Sequence, residues 1–410
     1  MEWIETTIRE YCPLSYGKGL PQTKRIYGIY PVYGSNGIVG YHKEPNVTSH
    51  GIIIGRKGSV GAIHLSEIPF WAIDTAFYIT KESLSELKFT YFLLKTLDLN
   101  NMNSDSAVPG LNRDNAHSIK IKIPKLQKDR EKIGEYLSTF DQKIELNTQT
   151  NQTLEQIAQA IFKHWFIDFA PVHAKANALA AGASPEQAEL ATMASLSGKT
   201  IAEITALQHT TPEAYHQLQQ TASAFPSEFV ETEMGQVPKG WEVKPINEIC
   251  SIVYGKGLPK NQLKSSGYPV YGANGVIGYY DQYLYKTRQV LIGCRGTVGQ
   301  VYVSQPYSYI TSNSLIIEDT KTILNLYFLE LYLKNLDLSV FASGSVQPQI
   351  TIQNLSRLKI FIPNKEILDL FSSLVEPMYQ LTYKNDDEKK TLSEIRDFLL
   401  PKLLNGEIEL

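Results

Sequence analysis

The sequence predicts an α/β protein with long antiparallel coiled-coil helices: two similar mixed α/β domains, each followed by a helical rod, related by a pseudo-two-fold axis. Three observations carry this. The hexapeptide YGKGLP stands at residues 16–21 and again at 254–259. Each copy lies in a stretch of short apolar runs broken by glycine and proline, the pattern of strands and turns. Each stretch is followed by a segment whose apolar residues alternate spacings of four and three, the heptad signature of a helix seam.

The duplication extends well beyond the hexapeptide. YPVYGSNGIVGY (30–41) returns as YPVYGANGVIGY (268–279), and IGRKGSVG (54–61) as IGCRGTVG (292–299), always 238 residues on. Between Trp3–Gly61 and Trp241–Gly299, 24 of 59 positions are identical, among them Ile8 with Ile246, Glu10 with Glu248 and Cys12 with Cys250. After one inserted residue, AVPGLNRDNAHSIKIKIP (107–124) pairs with VQPQITIQNLSRLKIFIP (346–363) at an offset of 239. Copies of about 125 residues are whole domains, too long for the units of a solenoid.

The first domain spans 1–124 and the second 239–363. Each has fully apolar runs (GIIIG, QVLIG), one helical stretch (YFLLKTLDL, LYFLELYLKNLDL) and an alternating last strand, IKIKIP or LKIFIP. Pro124 and Pro363 end those strands, because proline brings no donor to a ladder and biases its predecessor away from helix. A central spacer helix follows at 125–170. Its seam runs Ile133, Leu137, Phe140, Ile144, Asn147, Asn151, Leu154, Ala158, Ile161 and Trp165, and from 126 to 166 there is no proline and one glycine, Gly134. The connector at 171–238, rich in Ala, Gln and Thr and punctuated by Pro185, Pro212 and Pro226, reads as short helices too polar to build a core of their own. The C-terminal spacer helix at 364–410 repeats the seam as Phe371, Val375, Met378, Thr382, Asn385, Lys389, Leu392, Arg396, Leu399 and Leu403.

Two features of the seams raise questions. Asn147 and Asn385 occupy matched positions; either each buried amide finds a partner on the facing helix and fixes the register, or both are solvated where the seam opens. Pro377 predicts a kink or interruption that makes the second helix less regular than the first.

Net charge is only −3 over 410 residues, but it is partitioned. The first and second domains carry +2 and +5, whereas the segments 125–170, 171–238 and 364–410 carry −1, −5 and −4. A polyanion would therefore meet the domains rather than the connectors. The acidic N-terminus MEWIETTIRE has no apolar leader core and no run is long enough to span a membrane, so a cytoplasmic protein with no membrane partner is expected. Cys12, Cys250 and Cys294 lack paired spacing; Cys12 and Cys250, at equivalent positions in apolar surroundings, are expected to be buried structural thiols.

The chemistry of an enzyme is missing. YGKGLP and GRKGSVG fit neither GxxxxGK[ST] nor GxGxxG, so they read as tight turns that use glycine's access to positive φ. Eight histidines form no HExxH or Cys/His pattern, and no metal site is expected. There is no GxSxG and no Asn-Pro-Pro-Tyr methylase motif, and IEDTK (317–321) lacks the upstream acid of a nuclease.

At this point particular stretches carry a resemblance. IFKHWFIDFAPV (161–172), MGQVPKGWEVKPINEI (234–249) and LLPKLLNGEIEL (399–410), with the repeats and long helices, make the chain resemble the DNA-specificity subunit of type I restriction-modification systems over essentially its whole length. The connector at 173–225 and Pro377 depart from the family pattern. The resemblance implies a non-catalytic subunit whose two target-recognition domains read double-stranded DNA. It also implies a scaffold for two modification (methyltransferase) subunits and, in the full complex, restriction (motor-nuclease) subunits. S-adenosylmethionine, ATP and magnesium would belong to those partners and none of them to this chain; the methyltransferase would flip the target adenine.

Two similar but unequal domains predict a bipartite, asymmetric site, with half-sites in inverted orientation if the helices pack antiparallel. A helix over 126–166 is about 60 Å long and covers about 17 base pairs, enough for two half-sites and an unread gap. Residues shared by the copies, Lys18 with Lys256, Asn36 with Asn274 and Tyr33 with Tyr271, cannot tell two half-sites apart and suit phosphate contact or turn structure. Residues that differ can specify bases: Lys24 and Arg25 (against Gln262 and Leu263), His42, Lys43, Asp281, Gln282, Arg288, Arg113, Gln347 and Gln349, with arginine suited to guanine and glutamine to adenine. Arg56, Lys57 and Arg295, beside glycines, are candidate backbone clamps. The competing readings are a non-catalytic interaction scaffold with two similar peptide-binding repeats, or a carbohydrate-binding repeat protein. Neither accounts for the matched long helices.

Overall fold

The computed structural model describes residues 1–102, 110–320, 323–344 and 346–410, without the side chains of 319 and 320. The chain divides into two compact units that do not follow its linear order: Met1–Asn151 with Tyr383–Leu410, and Gln152–Thr382. Each unit thus holds one domain and a piece of both long helices.

In the first unit, Trp3–Thr7 pairs antiparallel with Lys120–Pro124. A four-stranded sheet runs in the order Ser15–Tyr16, Ala76–Ile79, Gly51–Gly55, Ile63–Ser66, and a three-stranded one in the order Gly37–His42, Tyr30–Gly34, Trp71–Ala72. The strand GIIIG has neighbours on both edges and is covered on both faces, which is why it is apolar throughout. Ile52 and Ile54 pack with Phe77, Phe89 and Phe92, while Ile53 joins Tyr33 and Phe70 on the other side. Helix Leu84–Lys95, capped by Ser83, lies against the helix Gln127–Phe162 at Gly134, where a Cβ would stand 2.4 Å from the Ser85 carbonyl oxygen. The lone glycine of the seam permits this close crossing.

The seam of the first unit is antiparallel. Ile133 and Leu137 share a core with Leu403, flanked by Leu399; Asp141 pairs with Arg396; Asn147 Nδ2 donates to Glu388 Oε2 at 2.8 Å. Asn385 Nδ2 donates to Asn151 Oδ1 at 2.8 Å, and Asn151 Nδ2 to Asp386 Oδ1 at 2.9 Å. Both Asn147 and Asn385 are buried and partnered across the seam, so the register-fixing alternative is the one adopted. Phe140, Ile144 and Leu392 are half-buried along the same line.

The domain of the second unit repeats the strand order of the first. Glu242–Pro245 pairs with Lys359–Ile362; a four-stranded sheet runs Cys250–Tyr254, Ser314–Thr320, Val290–Gly293, Val301–Val303; and a three-stranded one runs Gly275–Tyr280, Tyr268–Gly272, Tyr309–Ile310. Even the bulge recurs, between Val32 and Tyr33 in one copy and Val270 and Tyr271 in the other. Its core is aromatic: Phe162, Trp165, Phe166, Trp241, Phe328, Phe361 and Phe371, with Val375 and the half-buried Ile161 beside them. Leu154 is half-buried.

Three expectations need correction. The helix Lys365–Leu404 runs through Pro377 without interruption, whereas the first helix gives way to a π segment at Lys163–Ile167. Pro377 is exposed, so its missing bond falls on the solvent side, while Val375 and the half-buried Met378 keep the adjoining turns seated in the core. The π segment, with one residue more per turn, turns Trp165 and Phe166 inward together with Phe162. The connector also has a core of its own: helices Ala170–Ala180, Pro185–Ser197, Ile201–Thr210 and Pro212–Ala224 enclose Met193, Ile204, Tyr215 and Ala222, and a hairpin, Phe229–Thr232 with Gly235–Pro238, follows.

Candidate nucleic-acid interface

In each domain, loops far apart in sequence meet at one rim of the sheets, and glycines let them meet. A Cβ on Gly17 would lie 2.0 Å from the Ile73 carbonyl oxygen, and one on Gly255 2.2 Å from that of Thr311. None of Gly17, Gly19, Gly255 or Gly257 has a positive φ, so the left-handed turn the sequence suggested is not adopted there, and Gly17 and Gly255 serve close backbone approach instead. That turn reading does describe Gly58 and Gly61 and their counterparts Gly296 and Gly299. Lys18 N donates to Ala72 O and Lys256 N to Ile310 O, both at 2.9 Å. The hairpin tips bearing Asn36 and Asn274 press on the next loop, since a Cβ on Gly55 would stand 2.8 Å from Ser35 O and one on Gly293 2.5 Å from Ala273 O. A fourth segment closes the rim through Leu111 N to Arg56 O at 2.9 Å and Ile350 N to Cys294 O at 3.1 Å.

On the first rim Lys18, Asn36 and Lys57 are exposed, and the two lysines have no ion-pair partner among the described residues. Arg56 donates from Nη1 to Asp74 O at 3.2 Å, and its guanidinium lies 5.0 Å from the centre of the Tyr16 ring. Arg113 lies 4.6 Å from the same ring. On the second rim Lys256, Asn274, Arg295 and Gln347 are exposed, and Arg295 Nε donates to Gln349 Oε1 at 3.1 Å. A cleft of about 540 Å³ opens between Arg295, Gly296 and the segment from Val346 to Gln349. Sequence reasoning passed over Tyr16 and Tyr254, exposed aromatics kept in both copies beside a lysine; that pairing was the available signal.

Other candidates do not reach the rims. Arg25 is spent on the fold, donating from Nη1 to Val39 O at 2.7 Å and from Nε and Nη2 to Leu20 O at 3.4 Å. Lys24, next to it, is exposed on that separate loop. Arg288 Nη1 donates to Ser304 O at 3.4 Å. Tyr33 and Tyr271 are core residues, and His42 is buried and accepts from Ile26 N, so these three are not surface contacts. Lys43 pairs with Glu44, and Asp281 with Lys264. Residues 107–109, the start of one aligned stretch, and the side chains of 319–321 in IEDTK lie outside the described residues.

Buried groups near the rims are inert. All three thiols are buried, and burial pushes Cys12 up to about 12. Burial lowers the His117 imidazole, whose Nε2 accepts from Leu14 N at 2.9 Å. No group of three His, Cys, Asp or Glu side chains able to hold a metal occurs among the described residues, and no described helix is long and apolar enough to cross a membrane. The rims therefore offer cations, amides and aromatic faces, the inventory of a surface that binds a polyanion with stacked rings.

Comparison with known proteins agrees. Residues 1–156 and 238–390 each match the type I restriction modification DNA specificity domain. The chain is 38% identical over 336 residues to the type I restriction enzyme HindI specificity subunit of Haemophilus influenzae, covering 73% of this chain and 71% of that one. It is 23% identical over 388 residues to the MjaIX specificity subunit of Methanocaldococcus jannaschii, covering 87% and 77%. In fold it is similar to the crystal structure of the type I restriction-modification S subunit from M. genitalium, with a TM-score of 0.63 at 17% identity over 98% of this chain and 96% of that chain.

Proposed function

Because the chain belongs to the type I restriction-modification DNA specificity family, we propose that it is the DNA-reading subunit of such a complex, each rim taking one half-site of a bipartite, asymmetric target. The observation that carries this reading is the same rim built twice, with shared exposed Lys18 and Lys256, Asn36 and Asn274, and unshared arginines and glutamines around them. Shared cations hold the backbone of either half-site; unshared side chains tell the half-sites apart. The subunit itself is non-catalytic. Modification and restriction subunits assemble on it and bring S-adenosylmethionine, ATP and magnesium.

Selection from a randomised duplex library, with the chain purified together with its methyltransferase subunit, tests the reading: a bipartite motif is expected, and none enriching overturns it. The helix Gln127–Phe162, at about 1.5 Å per residue, acts as the spacer ruler. Four residues inserted within 141–155 lengthen the preferred gap; an unchanged optimum across a spacer series rejects the ruler.

A further inference from the structure

The rims differ most at one spot. In the first domain, the exposed ring of Tyr16, 48% accessible, carries two guanidiniums, Arg56 and Arg113. At the aligned positions the second domain keeps the tyrosine, Tyr254, but has Cys294 and Ile352 in place of the arginines. Its cation, Arg295, stands one residue on, tied to Gln349.

We propose that Arg113, set on Tyr16, is a guanine reader present in the first domain and absent from the second. The inference rests on the DNA-reading function above. Arg56 is committed, with Nη1 on the Asp74 carbonyl and its guanidinium within 5.7 Å of the Phe77 ring centre as well; it braces the stack. Arg113 differs. Its Nε is buried and has no hydrogen-bond partner among the described residues, and Tyr16 lies against its guanidinium. With Nε turned in, the Nη1/Nη2 edge is the edge left for a ligand, and two parallel N–H donors match the N7 and O6 acceptors of guanine in the major groove. Stacking on a ring restricts the guanidinium before DNA arrives, so less freedom is lost on binding. Its place at the first position of the short helix Arg113–His117 is fixed by Asn112, whose side chain accepts from Asp114 N and Asn115 N.

The test compares target motifs of the methyltransferase complex carrying the wild-type chain, Arg113→Gln, Arg113→Lys or Tyr16→Phe. The wild type is expected to require a guanine at one fixed position of a single half-site. Arg113→Gln should lose about ten- to a hundredfold of discrimination at that position, Arg113→Lys should lose most of it because a point charge replaces a fork, and Tyr16→Phe should keep it. The other half-site stays as in the wild type in all three, which also shows that the variants fold. A wild-type motif with no G·C pair in one of its half-sites fits only if that half-site is the unaffected one; unchanged preference in Arg113→Gln, or a change confined to the other half-site, overturns the inference while leaving the bipartite function standing. A wild-type complex that enriches no bipartite motif overturns the function and the inference together.

Discussion

In the first domain Glu86, nearly buried, accepts from Arg130 Nε at 2.7 Å and from the Tyr11 hydroxyl at 3.3 Å, with Lys81 3.9 Å away. At the aligned place the second domain has Asn325, which donates to Ser372 Oγ at 2.6 Å and accepts from Phe328 N at 3.0 Å. One copy thus fastens domain to spacer helix with a buried charge network from the first turn of its helix, and the other with a neutral amide at the cap of its shorter helix. The difference teaches that the joint requires satisfied polar groups, and that the type of polarity is free to drift once the partners drift together.

The largest effect that would sharpen this contrast is at the joint. Glu86→Ala leaves Arg130 and Lys81 buried without a countercharge and should cost about 3–5 kcal/mol, whereas Asn325→Ala removes a cap and one side-chain bond and should cost about 1 kcal/mol. Denaturant unfolding of the two variants reads the gap, and equal losses would break the comparison. Next come substitutions where the copies should agree. Gly17→Ala and Gly255→Ala both drive a methyl into a carbonyl oxygen and should each destabilise the home domain by about 1–3 kcal/mol, as hydrogen exchange resolved by domain would show. Smaller still is the effect on DNA: Lys57→Ala and Arg295→Ala should each lower the slope of log affinity against log salt by about 0.9, and an unchanged slope removes that residue from the phosphate contacts.

The smallest effect is a pH dependence confined to one copy. His64 and His117 sit below the ordinary histidine range because burial disfavours their charged forms. A folded-state pKa depressed below the unfolded value contributes stability above about 6.5 that is lost as pH falls through the folded value. The aligned residues of the second domain, Tyr302 and Ser356, do not titrate there. Exchange rates corrected for pH should show the first domain loosening relative to the second between pH 7.5 and 5.5; parallel loosening would contradict this.

Much of the fold was legible in the sequence because it is written as period. The seams from Ile133 to Trp165 and from Phe371 to Leu403 contain no exposed residue, even at Thr382, Lys389 and Arg396, since three-four spacing puts one line of a helix inward whatever its chemistry. The duplication likewise foretold two copies of one topology. What stayed illegible depends on partners distant in the chain. Nothing in KGLPQTKR says that Arg25 bonds the carbonyl of Val39, or that Gly17 faces the oxygen of Ile73. The motif marked Gly17 as a turn and the difference between the copies marked Arg25 as a reader, and the tertiary contacts reassigned both. Pro377 was misjudged although the seam itself places it off the inward line between Val375 and Met378: a proline's cost depends on which side of the helix it falls, and here the missing bond faces solvent.

The division of the chain into units bears on its synthesis. Residues 152–382 form one compact unit, whereas Met1–Asn151 needs Tyr383–Leu410 to complete it. Ile133 and Leu137 therefore wait for Leu403, translated about 270 residues later, before their shared core can close. A nascent chain ordinarily folds from its N-terminus onward; here the part made first depends on the part made late, and its uncovered seam is the surface a chaperone would guard until then.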